Sequence, residues 1–444
     1  MSARWNLFAV CLAAVLAATP PLAAQQGQQI VQGVYIDGKG VLNSVRLIKR
    51  PSLLRGREPA LNEDVRRSSA QRKISLTRLE RLWIEHVKNR SSVPDEMRYL
   101  AGLYRIDYVV VDPASGEVII VGPAEGWIVL NDGTAIGARN RELILKLDDL
   151  IAALRAFPPG CPPQKAVWCS IDPTEEGRRR LRAALAQIRQ PVNRGQIRRL
   201  AAVLKQAFGP HRVVVSGVPR ECGIAFKMVG ADYAMKAVAM GVVRPGVRGL
   251  RSYVEMVPLR QAGTVKVQRW WFVPDENLLS CTEDKTVWKL SSRRVRLLGD
   301  SDFQIRTSGE QDPFHQPDPW NRRFAEQFTR SFPKLKSRLP VLDALENVFD
   351  LLTLAVILEH GGAAALVNWD RSGFLDEDAY SLRSYPTPEY AETLVNIRVS
   401  GTRLTTPLGG ARYGSNDVLG GTFSGDVERP PISIPDDPNR WWWD

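Results

Sequence analysis

Between Val213 and Val257 the chain is denser in apolar residues than elsewhere, yet never for long enough to cross a membrane. The stretch opens with VVV, a short strand closed by Gly217 and Pro219. It continues into RECGIAFKMVGADYAMKAVAMG, which reads as a helix stopped at Gly241. At about 100° per residue, Ile224, Met228, Ala231, Met235, Val238 and Ala239 fall on one stripe of that helix. Phe226, Val229, Tyr233, Ala237 and Met240 fall on the opposite side. Only narrow polar seams remain, with Lys227 on one flank and Asp232 and Lys236 on the other. A helix apolar on two sides has to be covered on two sides, so the pattern predicts the central helix of the fold.

Alternation and turn residues predict strands around it. Residues 29–47 read as a hairpin about Asp37-Gly-Lys-Gly40, and Tyr108 to Pro113 with Val118 to Val121 as a second. Trp127 to Leu130 adds a third strand before Asn131-Asp-Gly133, and residues 265–298 read as an antiparallel meander. Helical spacing marks Ile74 to Val87, Leu147 to Phe157, Ile197 to Phe208, Phe324 to Phe332 and Val341 to Leu358. Thr174 stands where it can cap one more helix, whose acids Glu175 and Glu176 sit at its positive end. The run LLTLAVIL belongs to a packed amphipathic helix and not a membrane span, because Asp343, Glu346 and Asp350 share one face. The fold class is therefore α+β: antiparallel hairpins and a meander packed around the central helix, with additional helices and an irregular C-terminal tail. The expected division is a signal peptide over residues 1–24, a hairpin with basic linker and helix over 25–95, and an α+β core over 96–360. An irregular Gly/Pro/Thr-rich region follows over 361–429, then a Pro-rich tether with a terminal Trp cluster over 430–444.

Charge changes this picture in one segment. The 444 residues carry a net +12, and residues 46–90 alone hold thirteen Lys/Arg against five Asp/Glu. Such a segment suits nucleic acid, anionic lipid or an acidic surface polymer, or it is a solvated helix with a basic linker. Arg4, the apolar run Leu7 to Ala18 and the small residues Ala23 and Ala24 before Gln25 have the build of a secretory signal peptide. Export to the periplasm, the cell envelope or the medium is the consequence. Nucleic acid then drops out as a partner, leaving an envelope protein or an anionic surface polymer, and no transmembrane span is expected in the mature chain.

Removing the signal would leave Cys161, Cys169, Cys222 and Cys281, an even number in an oxidising compartment. Cys161 and Cys169 flank a Pro-rich loop that a bridge could close, leaving Cys222 for Cys281; free buried thiols are the equal alternative. Neither these cysteines nor His86, His211, His315 and His360 show metal-ligand spacing. Phosphate-loop, dinucleotide, zinc-protease and nucleophile-elbow motifs are absent, so no cofactor is implied. ADYAMK at Ala231 to Lys236, RWWF at Arg269 to Phe272, SIDPT at Ser170 to Thr174 and the FTRSFPKL…LPVLDALENVFDLL region resemble an uncharacterised bacterial exported-protein family. That family is defined by a domain of unknown function, and the resemblance covers roughly Asp107 to Leu358. It implies an exported α/β domain and supplies no catalytic residues.

Three groups of residues could carry a site. Asp232 and Lys236, one helical turn apart, are either a buried pair with shifted proton affinities that binds a ligand or an ordinary helical ion pair. Arg269, Trp270 and Trp271 either form a platform for sugar rings or peptide side chains, or alternate with one ring inward. Arg248 belongs to the basic loop Arg244 to Arg251 at the same rim. Trp441, Trp442 and Trp443 either anchor the protein to a partner or fold back on its own core. The turn Asp370 to Asp378 offers oxygens but misses the EF-hand spacing. The reading is an exported cell-envelope protein of unknown activity, a non-catalytic binding or scaffold module with a mobile tail and no deep ionisable pocket. The alternative is an envelope hydrolase of peptide or glycan, with Asp232 or another acid brought beside a second carboxylate from far along the chain.

Overall fold

The computed structural model describes residues 29–31, 34–36, 40–45, 56–187, 195–258, 266–300, 318–398 and 403–444. The expected signal peptide, His315 and the linker residues 46–55 lie outside them. Seven helices of ten residues or more occur among the described residues: α1 (Leu76–Lys88), α2 (Leu147–Ala156), α3 (Glu175–Ala186), α4 (Ile197–Phe208), α5 (Gly223–Ala239), α6 (Pro319–Lys336) and α7 (Pro340–Glu359). Thr174 caps α3 as expected, accepting from the Gly177 N–H at 3.0 Å.

Helix α5 is the two-sided helix of the sequence, and every one of its 17 residues is buried. The larger sheet covers one side and α2 and α7 cover the other. That sheet runs β1 (Gln29–Val31), β2 (Val34–Ile36), β3 (Val41–Val45), β15 (Tyr390–Ala391), β10 (His211–Ser216), β9 (Ala166–Pro173), β17 (Arg403–Gly414), β11 (Lys266–Pro274) and β14 (Val295–Gly299), with β16 (Asn396–Arg398) paired to β17. A smaller sheet runs β18 (Phe423–Ser424), β12 (Leu279–Cys281), β13 (Val287–Leu290), β5 (Tyr108–Asp112), β6 (Glu117–Ala124), β4 (Ser69–Ser75) and β19 (Trp442–Trp443). A separate hairpin joins β7 (Trp127–Val129) to β8 (Ala135–Gly137). Val109, Val111, Val118 and Ile120 of the smaller sheet point into the same core as α5 and α7, so the helices lie between two sheets.

The acidic face of α7 is buried too, from Val341 to Leu358 without a break. Its acids survive there because each has a cation: Lys336 reaches Glu346 at 2.6 Å and Asp343 at 3.5 Å, and Arg294 Nε meets Asp350 at 2.7 Å. The helix is packed all round and not amphipathic at a surface. No helix among the described residues is long and apolar enough to cross a membrane.

Two expectations need correction. The predicted meander is divided between the sheets, with β11 and β14 pairing in the larger one and β12 and β13 in the smaller. The region 361–429, expected to be irregular, contributes the 12-residue strand β17, parallel to β11 and antiparallel to β9. Its glycines are what the close approach requires: a Cβ on Gly409, whose φ is +102°, would strike the Trp270 carbonyl, and one on Gly410 the Cys169 carbonyl.

Candidate functional site

Asp232 and Lys236 meet inside the core. Lys236 Nζ donates to Asp232 Oδ2 at 2.7 Å, to the Gly409 carbonyl at 3.0 Å and to the Ile171 carbonyl at 3.3 Å. Its three N–H groups are thus all used, and they tie α5 to β17 and β9. The two side chains are 0 and 2% exposed. Burial pushes the Asp232 carboxyl up to about 7 against the opposing pull of Lys236. Nearby on β10, burial and then the Lys236 charge push His211 down to about 3. A sealed pair of this kind, with every Lys236 proton engaged, ties the helix to the two strands.

The aromatic groups are also placed inward. Trp270 is fully buried, its Nε1 donating to the Asn321 carbonyl at 3.2 Å and its ring set edge-on to Tyr253 and Phe324. The pleat sends Trp271 to the other face, half-buried beside Gly410, so the neighbouring rings make no shared platform. Arg269 reaches Asp300 at 3.6 Å, and Arg248 is exposed on its loop.

The terminal tryptophans are not a tethered anchor. Trp441 and Trp443 are buried, and Trp442 lies half-buried beneath Arg72, whose guanidinium carbon is 4.9 Å from the ring centroid. β19 pairs antiparallel with β4, and Val427, Ile432, Ile434 and Trp443 cover Val110, Ile119 and Val121 on the outer face of the smaller sheet. Arg72, fully buried, grips both Asp444 carboxylate oxygens at 2.9 and 3.0 Å and the carbonyls of Ala101 and Val65 at 2.7 and 3.1 Å. Arg78 collects the carbonyls of Pro435, Asp437 and Arg440. Two arginines of the basic segment thus serve as clamps for the C-terminal chain, because orphan carbonyls of an irregular, proline-rich segment need donors.

The four cysteines among the described residues are free thiols. Each has its own surroundings: Cys222 caps α5, accepting from the Ala225 N–H, Cys161 Sγ is 3.5 Å from His360 Nε2, Cys169 is buried in the middle of the larger sheet, and Cys281 lies on β12 of the smaller. The bridges left open by the sequence are not formed. The acidic turn uses Asp370 and Asp376 to accept from the backbone N–H groups of Ser372, Asp378 and Ala379. No metal-holding cluster occurs among the described residues.

Contrary to the expectation of no deep ionisable pocket, ionisable groups meet open space in a cleft of about 380 Å³, formed by the start of α2, the turn before β8, residues 91–99 and residues 380–385. Its lining includes Ser91, Ser92, Arg98, Tyr99, Gly133, Lys146, Asp148, Tyr380, Ser381, Arg383 and Tyr385. Lys146 is buried at its floor, where the chain turns into α2. Its Nζ donates to the Gly133 carbonyl at 2.8 Å and to the Tyr385 hydroxyl at 3.3 Å, leaving one N–H for the cleft. Asp148 and Asp149 follow in the first turn of α2, where the positive helix end favours them. Asp149 turns inward to Lys227 of α5, and Gly223 makes room for it, since a Cβ there would strike Asp149 Oδ1. Asp148 stays at the rim and accepts from the Tyr380 hydroxyl at 2.6 Å.

Tyr385 is fixed by its N–H, which donates to the Glu221 carbonyl at 2.7 Å, and by Phe226, 6.0 Å away between centroids. Its ring carries two cations, Arg383 at 5.6 Å and Lys146 at 5.9 Å. Burial, then the charge of Lys227, pushes Lys146 down to about 8, with Asp149 opposing. Burial raises both Tyr380 and Tyr385, so both remain phenols at neutral pH. Three cations, Arg98, Lys146 and Arg383, therefore face one carboxylate that a phenol already occupies.

None of the cleft residues stands in a motif. The one local signal is Lys146 inside Leu143-Ile-Leu-Lys-Leu147, a charge in an apolar run that has to be buried with partners. The larger set was out of reach of the sequence because it comes from four separate segments.

Residues 169–253 match a family described as a protein of unknown function, DUF1598. The matched span runs from β9 through α5 to Tyr253 and contains the SIDPT and ADYAMK blocks, whereas RWWF lies beyond it. No curated protein and no solved structure matches the chain.

Proposed function

We propose that the protein is an exported binding module of the cell envelope whose cleft captures a carboxylate or phosphate group of an envelope partner or surface polymer. The observation that carries this reading is Lys146, buried at the cleft floor with an N–H to spare, beneath the exposed Arg98 and Arg383. Guanidinium groups offer planar forks that match such oxyanions, and a partly desolvated ammonium adds a strong point charge. Export rests on the signal-like residues 1–24. The hydrolase alternative is weaker on geometry: Asp232 is sealed by Lys236, Asp149 is engaged by Lys227 and Asp148 by Tyr380. The test is calorimetric titration of the full chain with inorganic phosphate and with a glutamate oligomer. Binding should weaken about tenfold in an Arg98→Gln, Arg383→Gln double variant that melts like the parent, which is about 1.4 kcal/mol. Failure of the parent chain to bind either anion, or equal binding by the variant, overturns the reading.

A further inference from the structure

We propose that Lys146 is a nucleophilic amine that condenses with the carbonyl group of an anionic aldehyde or 2-oxo acid held in the cleft. The inference rests on the anion-binding reading and adds a covalent step to it. Lys146 sits below the rim arginines, its Nζ 3.3 Å from the Tyr385 hydroxyl, so an oxyanion on Arg98 and Arg383 would leave a neighbouring carbonyl above the amine and beside a proton donor.

Neutral amine is required for attack, and the surroundings supply it. Charged and titratable groups face Lys146 from every side: Lys227 from α5, Asp148 and Asp149 from α2, Asp132 from the turn before β8, and Arg383 with Tyr385 from the segment opposite. Asp149 is neutralised by Lys227 and Asp148 is bonded to Tyr380, so burial and the two nearby cations prevail and hold the amine near 8. This is the desolvated, cation-flanked setting that activates a lysine for Schiff-base chemistry.

In the step itself the nitrogen lone pair forms a C–N bond while the C=O π pair moves to oxygen. The oxygen takes a proton from the Tyr385 hydroxyl, which recovers one from the nitrogen. The carbinolamine hydroxyl then leaves with the second nitrogen proton as water, giving an imine. Amine and carbonyl are converted to imine and water without net oxidation.

The experiment treats the full chain with limiting glyoxylate and cyanoborohydride, which delivers hydride to the C=N bond and fixes the adduct as a secondary amine, and maps it by peptide mass spectrometry. Labelling of Lys146 should run about tenfold ahead of other lysines at neutral pH, because an ordinary lysine near 10.4 is almost wholly protonated there. Inorganic phosphate should protect Lys146, and glycolaldehyde, which lacks the anionic group, should label it about tenfold more slowly. Labelling spread over lysines in proportion to their exposure overturns covalent capture, while phosphate binding by the same sample keeps the anion site standing. Equal labelling by glycolaldehyde, or no protection by phosphate, overturns the anionic substrate class.

Discussion

Lys236 persists in an apolar helix because Asp232 and two carbonyls consume its three protons. Its value is therefore read from what is left when it goes. Lys236→Met should cost about 3 to 5 kcal/mol in urea unfolding, since it strands a buried carboxylate, and adding Asp232→Asn should recover much of that loss. His211, set edge-on to Phe208 at 4.7 Å, makes the pH counterpart. Its folded value of about 3 lies below the unfolded value of 6.5, so the folded state binds fewer protons. Its contribution is then intact above about pH 6.5 and is lost as pH falls toward 3. Melting temperatures recorded across that window should fall less steeply for His211→Gln than for the parent.

At the scale of elements, the chain after Gly361 differs most from its sequence pattern. Pro407, Gly409 and Gly410 disguise β17 as a loop, and no alternation shows because the strand is buried between two others, where both faces tolerate apolar or small residues. Gly409→Ala should be strongly destabilising or block folding, measured by soluble yield and urea midpoint, because its backbone region and its lack of a Cβ are both used. The last strand, β19, closes the smaller sheet by backbone pairing and by Arg72. Truncation before Trp441 should therefore cost on the order of 3 kcal/mol, as a fully buried guanidinium loses its carboxylate. Unfolding titration of that truncated chain checks it, and an unchanged midpoint would mean the segment merely rests on the sheet.

The cleft belongs to the whole molecule. It exists only where the chain near residues 91–99, the start of α2 and the segment 380–385 are brought together, and its charge balance depends on Lys227 of the central helix. Because its arginines are at an open rim, phosphate affinity should drop as salt is raised from about 0.01 to about 0.15 M, over which the screening length shrinks from roughly 30 to 8 Å. A salt-independent affinity would indicate a buried, uncharged mode of recognition instead.

By itself the sequence determined the α+β class, the place of α5, the cap at Thr174 and the absence of a membrane-spanning helix from the α7 run. Those follow from local periodicity, capping chemistry and charge spacing, which act over a few neighbouring residues. It left open whether Asp232 with Lys236, the RWWF rings, the four cysteines and the terminal tryptophans were functional or structural. Only the tertiary structure placed these side chains, since burial and many hydrogen-bond partners come from strands and loops far along the chain, as Asp444 does for Arg72. The same distance hid Lys146, Arg98, Arg383 and Tyr385. Chain periodicity carries no record of which distant side chains will share one solvent-filled space, and that sharing is what turns a buried lysine into a candidate site.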